Sequence, residues 1–289
     1  MSRRRFTLRL PGGASWTLGE RTLVMGIVNV TPDSFSDGGV NLDVKAAVAA
    51  ALRMVEDGAD VLDIGGESTR PGALPVGESE ERRRVLPVIE ALAGQVTVPI
   101  SIDTYKASVA DAALAAGASI VNDISGLRYE PELAGVVARR GAPIILMHTR
   151  GRSREMYEQA SYHDVVDEVL DELRESIAFA GGAGVPPEQV LVDPGIGFAK
   201  DASHSFEVLG RLAELADLGR PIVVGSSRKS FLNRPIKQAS QTPEGEWPTA
   251  ASVAAAALAG MHVIRVHAVR EMAQVARVAD EIRKYHRDR

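Results

Sequence analysis

Eight short apolar runs, each followed by a stretch of helical periodicity, set the strongest limit on how this 289-residue chain can fold. The runs lie at 23–28, 60–64, 98–102, 119–122, 143–147, 190–192, 221–224 and 263–266. They are rich in Val and Ile, as strands covered on both faces should be. The helical patterns lie at 43–57, 78–93, 106–116, 131–140, 161–180, 203–216, 248–260 and 269–285. At 161–180, Val165, Val166, Val169, Leu170, Leu173 and Ile177 share one face, with the acids elsewhere. Gly58, Gly117, Gly141 and Gly184 stand where left-handed caps end helices, and Pro248 suits a first helical position.

Alternating strands and helices predict βα units and a parallel sheet. An open doubly wound sheet is the alternative. The count of eight, and the lack of a Gly-x-Gly-x-x-Gly turn after the first run, favour a closed (β/α)8 TIM barrel. Residues 6–10 and 14–18 alternate apolar with polar around Pro11-Gly12-Gly13, which reads as an N-terminal β-hairpin. The expected organisation is one domain over 1–289, with the hairpin at 1–20 and the barrel at 21–287.

Composition narrows the function. No cysteine is present, which removes disulfides, thiolate metal sites and a cysteine nucleophile and suits a reducing, cytoplasmic location. A net charge of −5 and no basic stripe argue against nucleic acid. No run has the roughly 18 apolar residues of a membrane span, and Arg3-Arg4-Arg5 precedes no secretory-type apolar stretch. The arginines read as charged edges of the leading strand.

In such a barrel the chemistry sits at the carboxyl ends of the strands. There the chain offers Asn29, Asp63, Asp103, Asn122 with Asp123, His148, Asp193, the segment Gly225-Ser226-Ser227-Arg228-Lys229-Ser230, and Arg265 with His267. Acids and amides on one side and Arg70, Lys229, Arg265 and His267 on the other suggest a two-part ligand. A flat heterocycle would offer N–H donors to the carboxylates, and a phosphate-like group would meet the cations. Asp63 suits support of Arg70 or its loop as well as it suits ligand contact. His148 reads as a core histidine or a site wall. His163, His204, His262 and His286 show no metal spacing and read as surface residues. The Ala-rich stretch 250–257 fits either ordinary helix packing or close approach at a dimer interface.

Six blocks carry a resemblance: MGIVNVTPDSFSDGG at 25–39, DIGGESTRPGA at 63–73, SIDTYKASVADAALAAGASIVNDISG at 101–126, DPGIGFAK at 193–200, GSSRKSFL at 225–232 and IRVHAV at 264–269. In these the chain resembles the dihydropteroate synthase family of pterin-binding enzymes. The resemblance implies a (β/α)8 barrel, a homodimer and Mg2+. It also implies condensation of 6-hydroxymethyl-7,8-dihydropterin diphosphate with 4-aminobenzoate, which sulfonamides mimic. It places Asp103, Asn122, Asp193 and Lys229 at the pterin, Asn29 near magnesium and diphosphate, and Arg70, Arg265 and His267 at the diphosphate. Thr69, Pro71, Phe198 and Ser230 fall in the aminobenzoate region, and Asp33, Ser34 and Phe35 in a mobile first loop. Asp103, Lys229, Arg265 and His267 carry the implied catalysis. If a helix starts near Arg228, its exposed N–H groups would put the aminobenzoate carboxylate by Ser230.

Two departures stand out. Ala268 replaces the Asp that usually follows the strand-eight His, which bears on the orientation of His267. Ala199-Lys200-Asp201 replaces Gly-Lys-Thr, which bears on the loop around Phe198. Three rivals remain: a Schiff-base aldolase using Lys229, a methyltetrahydrofolate methyltransferase, and a non-catalytic pterin-binding paralogue.

Overall fold

The computed structural model describes residues 3–31, 40–68, 72–152, 156–158, 160–236 and 246–285. The leading hairpin pairs β1 (Phe6–Arg9) with β2 (Ser15–Leu18) antiparallel. The barrel strands are β3 (Leu23–Asn29), β4 (Val61–Gly65), β5 (Ile100–Asp103), β6 (Ile120–Asp123), β7 (Ile144–Met147), β8 (Val190–Asp193), β9 (Val223–Val224) and β10 (Val263–Val266). They pair parallel in the order β8-β7-β6-β5-β4-β3-β10-β9. A parallel bridge between Val192 and Ile222, with Val192 N donating to Pro221 O at 3.0 Å, joins the two ends into a ring. The expected closed barrel is therefore observed, and the open sheet is excluded.

The helices α1 (Val40–Glu56), α2 (Glu78–Ala93), α3 (Ala107–Ala116), α4 (Leu133–Arg140), α5 (Val165–Gly182), α6 (Ala202–Gly210), α7 (Glu246–Leu258) and α8 (Val269–Arg283) follow the strands in turn. The four cap glycines all have positive φ. At Gly117, φ is 118° and a Cβ would lie 2.5 Å from that of Ala93, so two reasons require glycine. Most helix ends shift by a few residues from expectation, and two of the differences bear on the reading. The sixth pattern splits into α6 and a 3-10 segment, Leu212–Leu218. Pro248 is the third residue of α7, still in the first turn where its missing N–H loses no intrahelical bond.

Strand side chains alternate between two cores. One face of each strand packs under the helices. The other turns inward, where Leu23, Met25, Val61, Ile120, Ile145, Leu191, Val223 and Val263 form one cluster. Leu8, Trp16 and Leu18 of the hairpin complete it, so the hairpin plugs the amino end of the barrel. Two expectations fail at this end. Arg3 is not an exposed edge charge: its side chain is 4% exposed and bonds Asp280 Oδ1 and Thr22 Oγ1, both at 2.8 Å. His262 is not a surface residue. It is buried, its Nδ1 accepts from Ile222 N at 3.1 Å, and its Nε2 lies 3.0 Å from Arg4 O. Burial pushes its pKa down to about 4, so the neutral ring serves as packing under the hairpin.

Candidate active site

The inward face changes character along each strand. Two residues beyond the apolar layer, Val61 gives way to Asp63, Ile120 to Asn122, Leu191 to Asp193 and Val263 to Arg265. Because side chains alternate with period two, this polar set shares the interior with the hydrophobic floor. Asn29 ends β3 and Asp103 ends β5 on the same parity, and the register sets Asn29 beside Gly65 and Gly65 beside Asp103. Asp103 in turn pairs with Asn122 across β5 and β6. One strand period thus brings Asn29, Asp103, Asn122, Asp193 and Arg265 to the same end.

Asp63 is the hub beneath them. It is fully buried, and its Oδ2 accepts from Arg265 Nε at 2.6 Å and from Asn122 Nδ2 at 3.0 Å. Arg265 Nη2 also donates to Asp103 Oδ2 at 2.6 Å. Asp63 therefore orients two of the expected ligand residues, a role the residue pattern alone left open. Its strand parity with Val61 is the signal that locates it. Asp123 has the opposite parity. Its carboxylate accepts from Ser125 N, Ser125 Oγ and Leu127 N at 2.8, 2.7 and 2.6 Å, folding the β6–α4 loop.

Burial sets the electrostatics. It pushes the Asp103 carboxyl up, against the attraction of Arg265. It raises Asp193 to about 6, opposed by the Gly195 N–H at 2.7 Å and by Arg265 and Lys229. It lowers Lys229 to about 7, helped by Arg265 and opposed by Asp193 and Asp103. The Lys229 Nζ lies 3.6 Å from the centroid of the Phe198 ring, a cation–π contact that ties the β8 loop to the β9 loop. Such an arrangement stabilises charge on a bound ligand and shifts protons near neutrality.

His267 follows β10, and Ser227 Oγ lies 2.9 Å from its Nδ1 and accepts from its backbone N at 3.2 Å. Ser227 was not singled out in the sequence, yet it supplies the orientation that Ala268 does not. The effect of Ala268 falls on α8, for which it is the N-cap without a side-chain bond. Ala268→Asp is expected to raise the unfolding free energy by about 1 kcal/mol, through a carboxylate on the free N–H groups of α8. A urea midpoint equal to that of the parent chain counts against it.

At Ser230 the expectation needs correction. No helix starts at Arg228, which has φ 57°; a four-residue 3-10 turn starts at Ser230, which is exposed. So short a turn sums too few peptide dipoles to place a carboxylate. At the other departure, Ala199 adopts φ 46°, a left-handed conformation that a Cβ disfavours. Ala199→Gly is expected to raise stability by about 0.5–1 kcal/mol, read as a higher urea midpoint. Thr69, Arg70, Pro71, Asp33, Ser34 and Phe35 lie outside the described residues.

Among the described residues, no cluster of three or more His, Asp or Glu side chains is arranged to hold a metal ion. No helix among them is long and apolar enough to cross a membrane.

The family model for pterin-binding enzymes matches residues 25–267. A dihydropteroate synthase from Synechocystis sp. is 47% identical over 264 residues, which cover 91% of each chain. Two solved structures are similar throughout. Yersinia pestis dihydropteroate synthase in a sulfonamide drug complex has a TM-score of 0.88 and 39% identity, covering 96% of this chain and 100% of that one. Xanthomonas albilineans dihydropteroate synthase in complex with 7,8-dihydropteroate has a TM-score of 0.82 and 41% identity, with the same coverages of 96% and 100%. With the family pattern matched from the first barrel strand to the last and the polar ring built on it, the chain belongs to the pterin-binding enzymes, and among them to the dihydropteroate synthase family.

Proposed function

We propose that the protein condenses 6-hydroxymethyl-7,8-dihydropterin diphosphate with 4-aminobenzoate to give 7,8-dihydropteroate and diphosphate. The observation that carries this reading is the convergence of Asp103, Asn122, Asp193, Lys229 and Arg265 at one mouth of the barrel. Carboxylates and an amide accept from the donor-rich edge of a pterin. The Arg265 guanidinium and His267 face the diphosphate together with Arg70, and Thr69 and Pro71 belong with the aminobenzoate region.

The bond to break joins the pterin methylene carbon to the diphosphate oxygen. Its electrons leave with the diphosphate, and the ring carries the positive charge that develops. Asp103 and Asp193 stabilise that cation, while Arg265 and His267 stabilise the leaving group. The neutral amine of 4-aminobenzoate, held near Phe198 and Ser230, then bonds to the methylene carbon and loses a proton. The ring's own delocalisation removes any need for a covalent enzyme nucleophile.

Asn29 would offer Mg2+ a single hard-oxygen donor, and the ion would supply charge neutralisation at the diphosphate. The same reading makes the chain a single barrel domain over 1–289, with its hairpin at 1–20 and barrel at 21–287, working in the cytoplasm as a homodimer. Exposed Trp247, Val278 and Ile282 on α7 and α8 support the dimer.

Diphosphate release by the purified protein tests the activity. Release should require both substrates and be competed by sulfonamides. The half-buried Lys229 amine, with its lowered pKa, also suits Schiff-base chemistry. Borohydride trapping of a carbonyl substrate on Lys229, without diphosphate release, would replace the proposal with the aldolase reading.

A further inference from the structure

Behind the polar ring lies a buried lysine that the reaction above does not use. Lys200 is 1% exposed, and among the described residues no carboxylate is hydrogen-bonded to it. Its Nζ lies 2.8 Å from His148 Nδ1, 3.2 Å from Gly195 O and 3.1 Å from Phe198 O. Three neutral acceptors surround an amine whose pKa burial lowers to about 7, and in its protonated form each takes one of its three protons. His148 is fully buried, and its Nε2 lies 3.3 Å from Glu172 Oε2. Burial and the neighbouring ammonium keep this imidazole neutral, which leaves Nδ1 free to accept from Lys200.

The two carbonyls that Lys200 grips are the ends of one turn, closed by Phe198 N donating to Gly195 O at 3.0 Å. Each end touches a proposed ligand residue. The Gly195 N–H holds Asp193 Oδ1 at 2.7 Å, and the Phe198 ring lies under the Lys229 ammonium at 3.6 Å. The turn has no slack on its other side. Gly195 has φ 63°, and a Cβ there would lie 1.9 Å from His148 O.

We propose that Lys200, aimed by His148, is a positioning residue of this active site: it clamps the Gly195–Phe198 turn and so fixes both the Asp193 carboxylate and the Lys229 ammonium. The inference rests on the pterin-binding reading of those two residues. Lys200 does not touch substrate. Its effect passes through one backbone N–H and one aromatic ring.

The test is kinetic and calorimetric, on the full chain. Lys200→Met keeps the length of the side chain and removes all three donors. It is expected to lower kcat/KM for the pterin diphosphate about tenfold, the worth of one charge-assisted hydrogen bond. The acid limb of that profile should move up by about half to one pH unit, because Asp193 loses the N–H that holds its pKa down. Asp193 is also faced by Lys229 and Arg265, both intact in this variant.

Losing the Lys200 charge alone would raise Asp193 as well, so a second variant separates charge from position. His148→Leu leaves the charge and removes the nitrogen that aims it. It should move the acid limb in the same direction, whereas His148→Gln, which keeps an acceptor, should restore the parent profile. An unmoved limb in His148→Leu, or a wild-type kcat/KM in Lys200→Met, overturns the proposal. Calorimetric affinity for 6-hydroxymethylpterin gives the same comparison without turnover. An active parent with unaltered variants defeats this inference alone, and a parent that binds no pterin defeats the functional reading with it.

Discussion

Arg265→Met is expected to lower the unfolding free energy by about 3–5 kcal/mol, the usual cost of stripping one partner from a buried ion pair. Arg265 is the cation hydrogen-bonded to both Asp63 and Asp103, at 2.6 Å each. Without it, two carboxylates stay in the barrel interior, one of them fully buried, with Asn122 still donating to Asp63. The pH dependence follows from burial. Burial already pushes the Asp103 carboxyl up against the attraction of Arg265, so without that cation it rises further and the folded state binds its proton more tightly. The deficit is full at alkaline pH and shrinks as pH falls through the raised value. Urea midpoints at pH 5 and pH 8 measure it, with the gap to the parent chain wider at pH 8. The kinetic loss should be larger in proportion. Removing a preorganised charge that faces the leaving group costs about a hundred- to a thousand-fold in kcat. A variant with parental stability at pH 8 would mean that another group neutralises the two acids.

Asp193→Asn is expected to separate stability from binding. The carboxylate accepts from Gly195 N, and burial raises its pKa to about 6. A folded pKa above the unfolded value means that the charged form destabilises the fold. The cost is present above pH 6 and relieved as pH falls towards 4. Two units of pKa correspond to roughly 2–3 kcal/mol. The neutral amide removes that cost while still accepting from Gly195, so the variant should melt at a higher temperature than the parent at pH 7. Pterin affinity should move the other way, falling about 10- to 150-fold for one lost charge-assisted hydrogen bond. Calorimetry and thermal denaturation on one sample check both signs. Unchanged pterin affinity would remove Asp193 from the pocket.

What the residue order revealed follows from the periodicity of strands. Eight Val- and Ile-rich runs had to alternate inward and outward, and Asn29, Asp63, Asp103, Asn122, Asp193 and Arg265 fell on the inward parity of theirs. That made the barrel and most of its polar ring visible before any coordinates. Asp63 shares this parity, but its double partnership depends on Asn122 and Arg265 arriving from strands far away in sequence. Contacts of this kind carry no local pattern. His262 is buried because the hairpin lays Arg4 O across it, 258 residues away along the chain. Arg3 reaches Asp280 in the same way. Lys200 entered only as part of a departure from the family pattern, and its burial against His148, 52 residues away, leaves no local signal. The condition set at Ser230, a helix starting near Arg228, is not met, because a single 3-10 turn opens there.

The hairpin gives the molecule one doorway. Leu8, Trp16 and Leu18 stopper the far end, so nothing passes through the barrel from side to side. Both reactants must enter, and both products depart, by the same opening.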